Sequence, residues 1–154
     1  MEYLVLKWLH ILSSTVLFGT GIGSAFYLLV ASLSRNAAFV AAITRWVVRA
    51  DWLFTGTTAI LQPVTGLWMV HMAGIPLRTH WVMWSLALYA LAMACWLPVV
   101  WLQMRLRDIS AQAAQAGQPL PRAYWVCFGW WVGLGFPALA AFLAIFWLMV
   151  AKPS

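Results

Sequence analysis

Charge is scarce in this 154-residue chain, and negative charge scarcest: nine Lys and Arg stand against three Asp and Glu, together 8% of a sequence that is 65% hydrophobic. Soluble domains carry roughly a quarter charged and about half apolar residues, so water is excluded as the main solvent. Cysteine is nearly missing too. Cys95 and Cys127 stand alone, without the C-x-x-C or C-x-x-C-H spacing of a zinc site or covalent haem attachment, and they suggest no disulfide framework. There is no G-x-S-x-G, no H-E-x-x-H and no phosphate-binding glycine loop. Paired carboxylates are lacking as well, since Glu2, Asp51 and Asp108 are far apart and lie at the ends of apolar runs. Classical hydrolase and nucleotide chemistry thus find little support in the sequence.

What the chain has instead is four uncharged runs, Trp8 to Ser34, Trp52 to Leu77, Thr79 to Met104 and Ala123 to Ala151. Each exceeds the roughly 20 apolar residues that cross about 30 Å of hydrocarbon as a helix. Four strands would leave open edges in lipid and cannot close a membrane barrel, so the spans are helices. The first run is too long for a signal-peptide core and is expected to remain as an anchor. The net charge of +6 would point to nucleic acid in a soluble protein. Here the basic residues sit at helix ends, where they report topology, and no nucleic-acid partner is expected.

The predicted fold is an all-α four-helix transmembrane bundle, a single domain over 1–154, with short loops. Helices are expected at about 3–33, 51–73, 80–107 and 122–150, with an amphipathic segment at about 37–50 lying at the interface or extending the second helix inward. Gly74 to Leu77 make a tight turn, and Ile109 to Pro121 read as a polar loop. The first and third loops hold Arg35, Arg45, Arg49, Arg105, Arg107 and Arg122, against Lys7, Arg78 and Lys152 on the other side. The positive-inside rule then puts the first and third loops in the cytoplasm and both termini outside. Trp8, Trp68, Trp81, Trp84 and Trp147 fall near the outer helix ends and Trp46, Trp52, Trp101 and Trp125 near the inner ends, as an aromatic belt would.

At 100° per residue, Tyr3, Lys7, His10, Ser14, Gly21 and Ser24 share a stripe on the first helix that should face protein. Gly19 and Gly23 form a G-x-x-x-G pair fit for close helix contact. On the second helix, Asp51, Thr55, Thr58, Gln62, Thr65, Gly66 and Met69 line a stripe, with His71 opposite unless Pro63 disturbs the helix. Ser85, Tyr89, Trp96 and Gln103 follow on the third, and Gly129, Gly133 and Ala140 offer close packing on the fourth. Asp51 reads as a helix start or interfacial partner, with a proton-relay role as the alternative.

A histidine within hydrocarbon raises a functional hypothesis by default. His10 is the one well inside a span, and His71 and His80, at the outer ends of the second and third helices, fall on the same side. Haem b takes axial imidazole or thioether ligands from facing helices. His10 with Met69 or His71 matches that need, and Lys7, one turn outward, suits a propionate. A metal such as copper would also accept His10 with the thioethers of Met69, Met72 and Met83. The structural alternative is that His10 hydrogen-bonds Gln62 or a serine, while His71 and His80 sit among headgroups and Lys7 snorkels.

Residues about 50 to 108, with Ala50-Asp51, Thr65-Gly66-Leu67-Trp68, Gly74, Trp81, Trp96-Leu97-Pro98 and Gln103, resemble a bacterial family known only as predicted integral membrane proteins of unknown function. More distantly, Lys7-Trp8-Leu9-His10, Phe18-Gly19 and Phe26-Tyr27-Leu28 resemble the first helix of the HemJ-like four-helix protoporphyrinogen oxidase family, and Pro63 with Gly66-Leu67-Trp68 its second. That resemblance implies haem b held through His10, with Lys7 beside it. The family's third-helix lysine and histidine are replaced near Trp84, Cys95 and Trp96, so the resemblance implies a shared scaffold and does not carry the oxidase activity with it.

The expected function is therefore that of a small inner-membrane protein that binds haem b near the periplasmic face, with His10, Lys7, Met69, His71 and His80 as the site candidates. It would serve electron transfer or a membrane or periplasmic redox partner, within the lipid bilayer and in one copy or as a homo-oligomer. The alternatives are a noncatalytic subunit or assembly module of a larger complex and, behind it, passage of a metal ion or small solute.

Overall fold

The computed structural model describes residues 1–152, and all regular structure among them is helical. Helix α1 spans Glu2–Leu33. It stops at a turn in which Arg35 takes a left-handed φ of 55°, and the Asn36 side chain then accepts the Phe39 N–H at 3.1 Å as an N-cap. Helix α2 (Ala37–Ala50), a π-helical stretch (Asp51–Thr55) and helix α3 (Gly56–Met72) follow without a break. Residues 37–50 thus extend the second helix as one continuous rod.

Helix α4 covers His80–Gln115 and α5 Arg122–Ala151. The rod and α4 end alike. Gly74 (φ 64°) and Gly117 (φ 62°) adopt left-handed backbone, and each pairs with the next residue to close the last turn: Gly74 N–H to His71 C=O with Ile75 N–H to Val70 C=O, and Gly117 N–H to Ala114 C=O with Gln118 N–H to Ala113 C=O. Helix α4 runs a further two turns past Asp108, where a polar loop was expected. Ala and Gln are strong helix formers, and this extension buries Ser110 and Ala113, with Ser110 Oγ 3.3 Å from Thr44 Oγ1 of α2.

The core is concentrated at the arginine-bearing end. Leu28, Ala31, Val40, Val47, Leu102, Leu106 and Tyr124 pack there as one cluster. Within it the Ser32 hydroxyl lies 2.7 Å from Leu28 C=O and 2.6 Å from the Tyr124 hydroxyl. A hydroxyl has one proton, so Ser32 donates to the backbone and Tyr124 donates to Ser32. Arg35, Arg49 and Arg105 stack over Trp125, Trp46 and Trp101 at 5.9, 5.1 and 5.5 Å, pairing cation with aromatic at that end of the bundle.

Two helix pairs rise from this base. Helix α1 runs antiparallel to the α2–α3 rod along polar rungs: Ser24 to Asp51 at 3.5 Å, Gln62 to Ser13, and His10 to Thr65 at 2.8 Å. Helix α5 packs on α4. The buried face of α1 carries Leu6, Ser13, Leu17, Ser24 and Leu28, so the expected stripe is displaced by about one residue. Tyr3 and Lys7 face outward, because the buried positions recur every 11 residues (Leu6, Leu17, Leu28; Ser13, Ser24), about 3.67 per turn and close to the straight helix's own period, whereas the expected stripe is spaced nearer 3.5.

Gly19, Gly23, Gly129 and Gly133 have nothing within 4 Å of where a Cβ would stand. None serves the close packing expected of it. Pro63 leaves α3 unbroken. Its missing N–H would free the Ala59 carbonyl one turn back, and the Tyr89 hydroxyl of α4 donates to that carbonyl. A neighbouring helix thus re-satisfies the backbone group that proline released.

Candidate functional site

His10 lies half-buried on α1 against the rod. Its Nδ1 is 2.8 Å from Thr65 Oγ1, and that hydroxyl is 2.6 Å from Leu61 C=O. The single hydroxyl proton goes to the carbonyl, so His10 Nδ1–H donates to Thr65, and in the neutral ring Nε2 carries the lone pair. No side chain or backbone group among the described residues takes that Nε2. Gly66 makes the contact possible: a Cβ there would stand 3.2 Å from His10 Cε1. Gln62 fixes α1 at the same level by donating to His10 C=O at 2.9 Å and to Ser13 Oγ. The expected Gln62 partnership therefore exists, through the His10 backbone, while the ring takes Thr65.

An imidazole that is neutral, held through Nδ1 and open at Nε2 is the form in which histidine ligates metals. The other candidates are not drawn onto it by any hydrogen bond. Lys7, His71 and His80 face outward, and Met69 is partly covered on α3, one turn from Thr65. Since α3 stays regular through Pro63, His71 falls opposite the polar stripe. No group of three or more His, Cys, Asp or Glu side chains converges among the described residues.

A second polar locus lies deeper. Asp51 is 3% exposed, within the rod and not at a helix start. Thr55 Oγ1 donates to its carboxyl at 3.1 Å and Ser24 Oγ at 3.5 Å, and the Gln103 amide lies beside it. The Gly56 N–H bonds Asp51 C=O, the wide turn of a π-bulge, which recurs at functional sites. Above this cluster the two helix pairs part, between the Ser32–Tyr124 bond and an edge-to-face contact of Phe18 with Phe146 at 5.1 Å. The gap is a cavity of about 420 Å³. Gln103 and Trp96 were assigned to the interior by periodicity. Trp131 and the cavity were not, because a gap between helices depends on how two rods splay.

The comparisons with known proteins add a family. A model described as predicted integral membrane protein (DUF2269) matches residues 4–153. No curated protein and no solved structure matches the chain. Helices α1, α4 and α5 are each long and apolar enough to cross a membrane, in keeping with that description. With nearly its whole length matched, the chain belongs to this family of predicted integral membrane proteins.

Proposed function

We propose that the protein is a four-span bacterial inner-membrane bundle, both termini periplasmic, that binds haem b through His10 and serves electron transfer or a redox partner. The observation that carries the reading is the state of His10, tied through Nδ1–H to Thr65 with Nε2 unpartnered. The fourth span is supported by the rungs between α1 and the rod, which run from Ser24–Asp51 to His10–Thr65. A helix so paired shares the depth of its partner. Six Arg around the first and third loops against three Lys and Arg on the other side support the orientation.

In this reading His10 Nε2 would hold the haem iron, and Gly66 leaves room for the imidazole beside α3. Lys7, one turn outward, is the residue for a propionate. Haem b would supply a one-electron couple. The protein residues hold the imidazole in one tautomer and orientation, and hydrocarbon around the layer keeps water from it.

The test is the absorption spectrum of detergent-purified protein, supplied with haem. A Soret band that disappears in His10→Ala, with helicity unchanged by circular dichroism, is the expected result. Wild-type protein that stays colourless sinks the reading, and a stoichiometric protein partner on such colourless material would mark an assembly module instead.

A further inference from the structure

Of the six arginines at the base of the bundle, only Arg107 has a carboxylate: the one ion pair among the described residues joins it to Asp108. Three of the others stack on tryptophan, and two of those stacks are local. Arg49 lies on Trp46 and Arg105 on Trp101 of the same helix, at the spacing where neighbouring turns meet. The third is not local. Arg35, in the turn after α1, reaches Trp125 on α5, and with Pro119, Leu120 and Trp125 it lines a cavity of about 340 Å³.

The cavity is built to keep its shape. Pro119 and Pro121 fix the backbone of one wall, and Leu120 between them is buried in the core. Trp125 is held edge-on by Tyr124 and Phe128 at 5.5 and 6.0 Å. Arg35 is held through its backbone. Ser34 Oγ donates to Ala31 C=O and accepts the Asn36 N–H, Asn36 caps α2, and Arg35 between them takes its left-handed φ of 55°. That backbone favours glycine, and a residue with a Cβ is held there at a cost. Such outliers gather where a side chain must be presented to a ligand.

Stacking occupies the face of a guanidinium and leaves its edges, which carry the N–H donors. Those edges meet a carboxylate or a phosphate in paired hydrogen bonds. Depth decides between the two. Arg35 follows the end of α1 and Trp125 sits in the first turn of α5, two helices long and apolar enough to cross a membrane. The cavity therefore opens where spans leave hydrocarbon and lipid phosphates lie, amid an excess of arginine that attracts negative charge. We propose that it binds the headgroup of an anionic phospholipid, the phosphate taking paired hydrogen bonds from Arg35 while Trp125 holds the guanidinium in place. Its walls come from the α1–α2 turn and from the α4–α5 connection, so the bound lipid ties the first helix pair to the second. The site does not include His10, and colourless protein would leave it standing.

The test is thermal unfolding of the delipidated, detergent-purified full chain with short-chain phosphatidylglycerol, short-chain phosphatidylcholine or inorganic phosphate added. Phosphatidylglycerol should stabilise saturably, at a concentration about tenfold below that of phosphatidylcholine, and inorganic phosphate should not reproduce the effect. Glycine suits the left-handed backbone at residue 35, so Arg35→Gly should fold and lose about tenfold in phosphatidylglycerol affinity. Arg35→Lys, which keeps the charge without the planar fork, should lose about threefold or more. Arg49→Ala and Arg105→Ala, which remove the local stacks, should stay within about twofold of the wild type. Equal stabilisation by the two lipids, an equal effect of inorganic phosphate, or an Arg35→Lys protein that binds as the wild type does would overturn the assignment. Equal losses in all the arginine variants would overturn it too, leaving surface charge in general. If Arg35→Gly fails to fold, Arg35→Lys against the two alanine variants decides.

Discussion

At the scale of single residues, the chain spends its few polar side chains on one another. His10, Ser13 and Ser24 of α1 meet Thr65, Gln62 and Asp51 of the rod. Each such bond in lipid contributes only about 0.6 kcal/mol on average, so their larger effect is on register. Gly66 is the point where register and chemistry coincide. A larger side chain there must push the His10 ring away, and Gly66→Leu is expected to destabilise by about 1–3 kcal/mol. In His10→Ala the ring that Leu would strike is gone, so the two substitutions should be strongly non-additive in thermal unfolding. Additive losses would mean that Gly66 packs against something else. Polarity and periodicity alone made His10, Thr65 and Gly66 legible as interior residues. That the ring would take Thr65, with Gln62 going to the backbone, was not, since the choice turns on a one-residue displacement of the α1 face.

At the scale of elements, three prolines lie inside helices, and the structure shows the compensation for one of them. Tyr89 of α4 donates to Ala59 C=O, the carbonyl that Pro63 leaves without an amide. Tyr89→Phe should therefore cost about 1–3 kcal/mol by stranding a buried acceptor. In a Pro63→Ala background the backbone N–H returns, and the same Tyr89→Phe should cost less than about 0.5 kcal/mol. An equal cost in both backgrounds would show that Tyr89 acts through ring packing. Two helix breaks were readable from the chain, at Arg35–Asn36 and at Gly74, where the structure has its cap and its left-handed turn. The π-turn at Asp51–Thr55 was hidden, because an i→i+5 turn has no residue preference and reveals itself only by where it carries Asp51. The extension of α4 to Gln115 was hidden too, as a run of Ala and Gln is helical or not according to whether α2 is there to pack on it.

At the scale of the whole molecule, the helices are held firmly at the arginine-bearing end and part toward the other. The proposed membrane topology rests on the distribution of Lys and Arg and is open to direct measurement. In a background with Cys95 and Cys127 replaced by Ser, Arg78→Cys on the turn between α3 and α4 should react with a membrane-impermeant maleimide on intact spheroplasts. Gln118→Cys, between α4 and α5, should react only after permeabilisation. The reverse pattern would turn the protein over, and equal access to both sites would sink the four-span arrangement.

Lipid as the solvent, helices as the only regular structure and the boundaries of most of them were determined by the sequence alone. They depend on composition and on local spacing, which act over a few residues. The Thr65 partnership of His10, the burial of Asp51 in a continuous rod and the cavity between the helix pairs were decided only in the tertiary structure. Each is a relation between helices far apart in the chain, and splay, rotation and register between helices are settled by side chains packing across the gap.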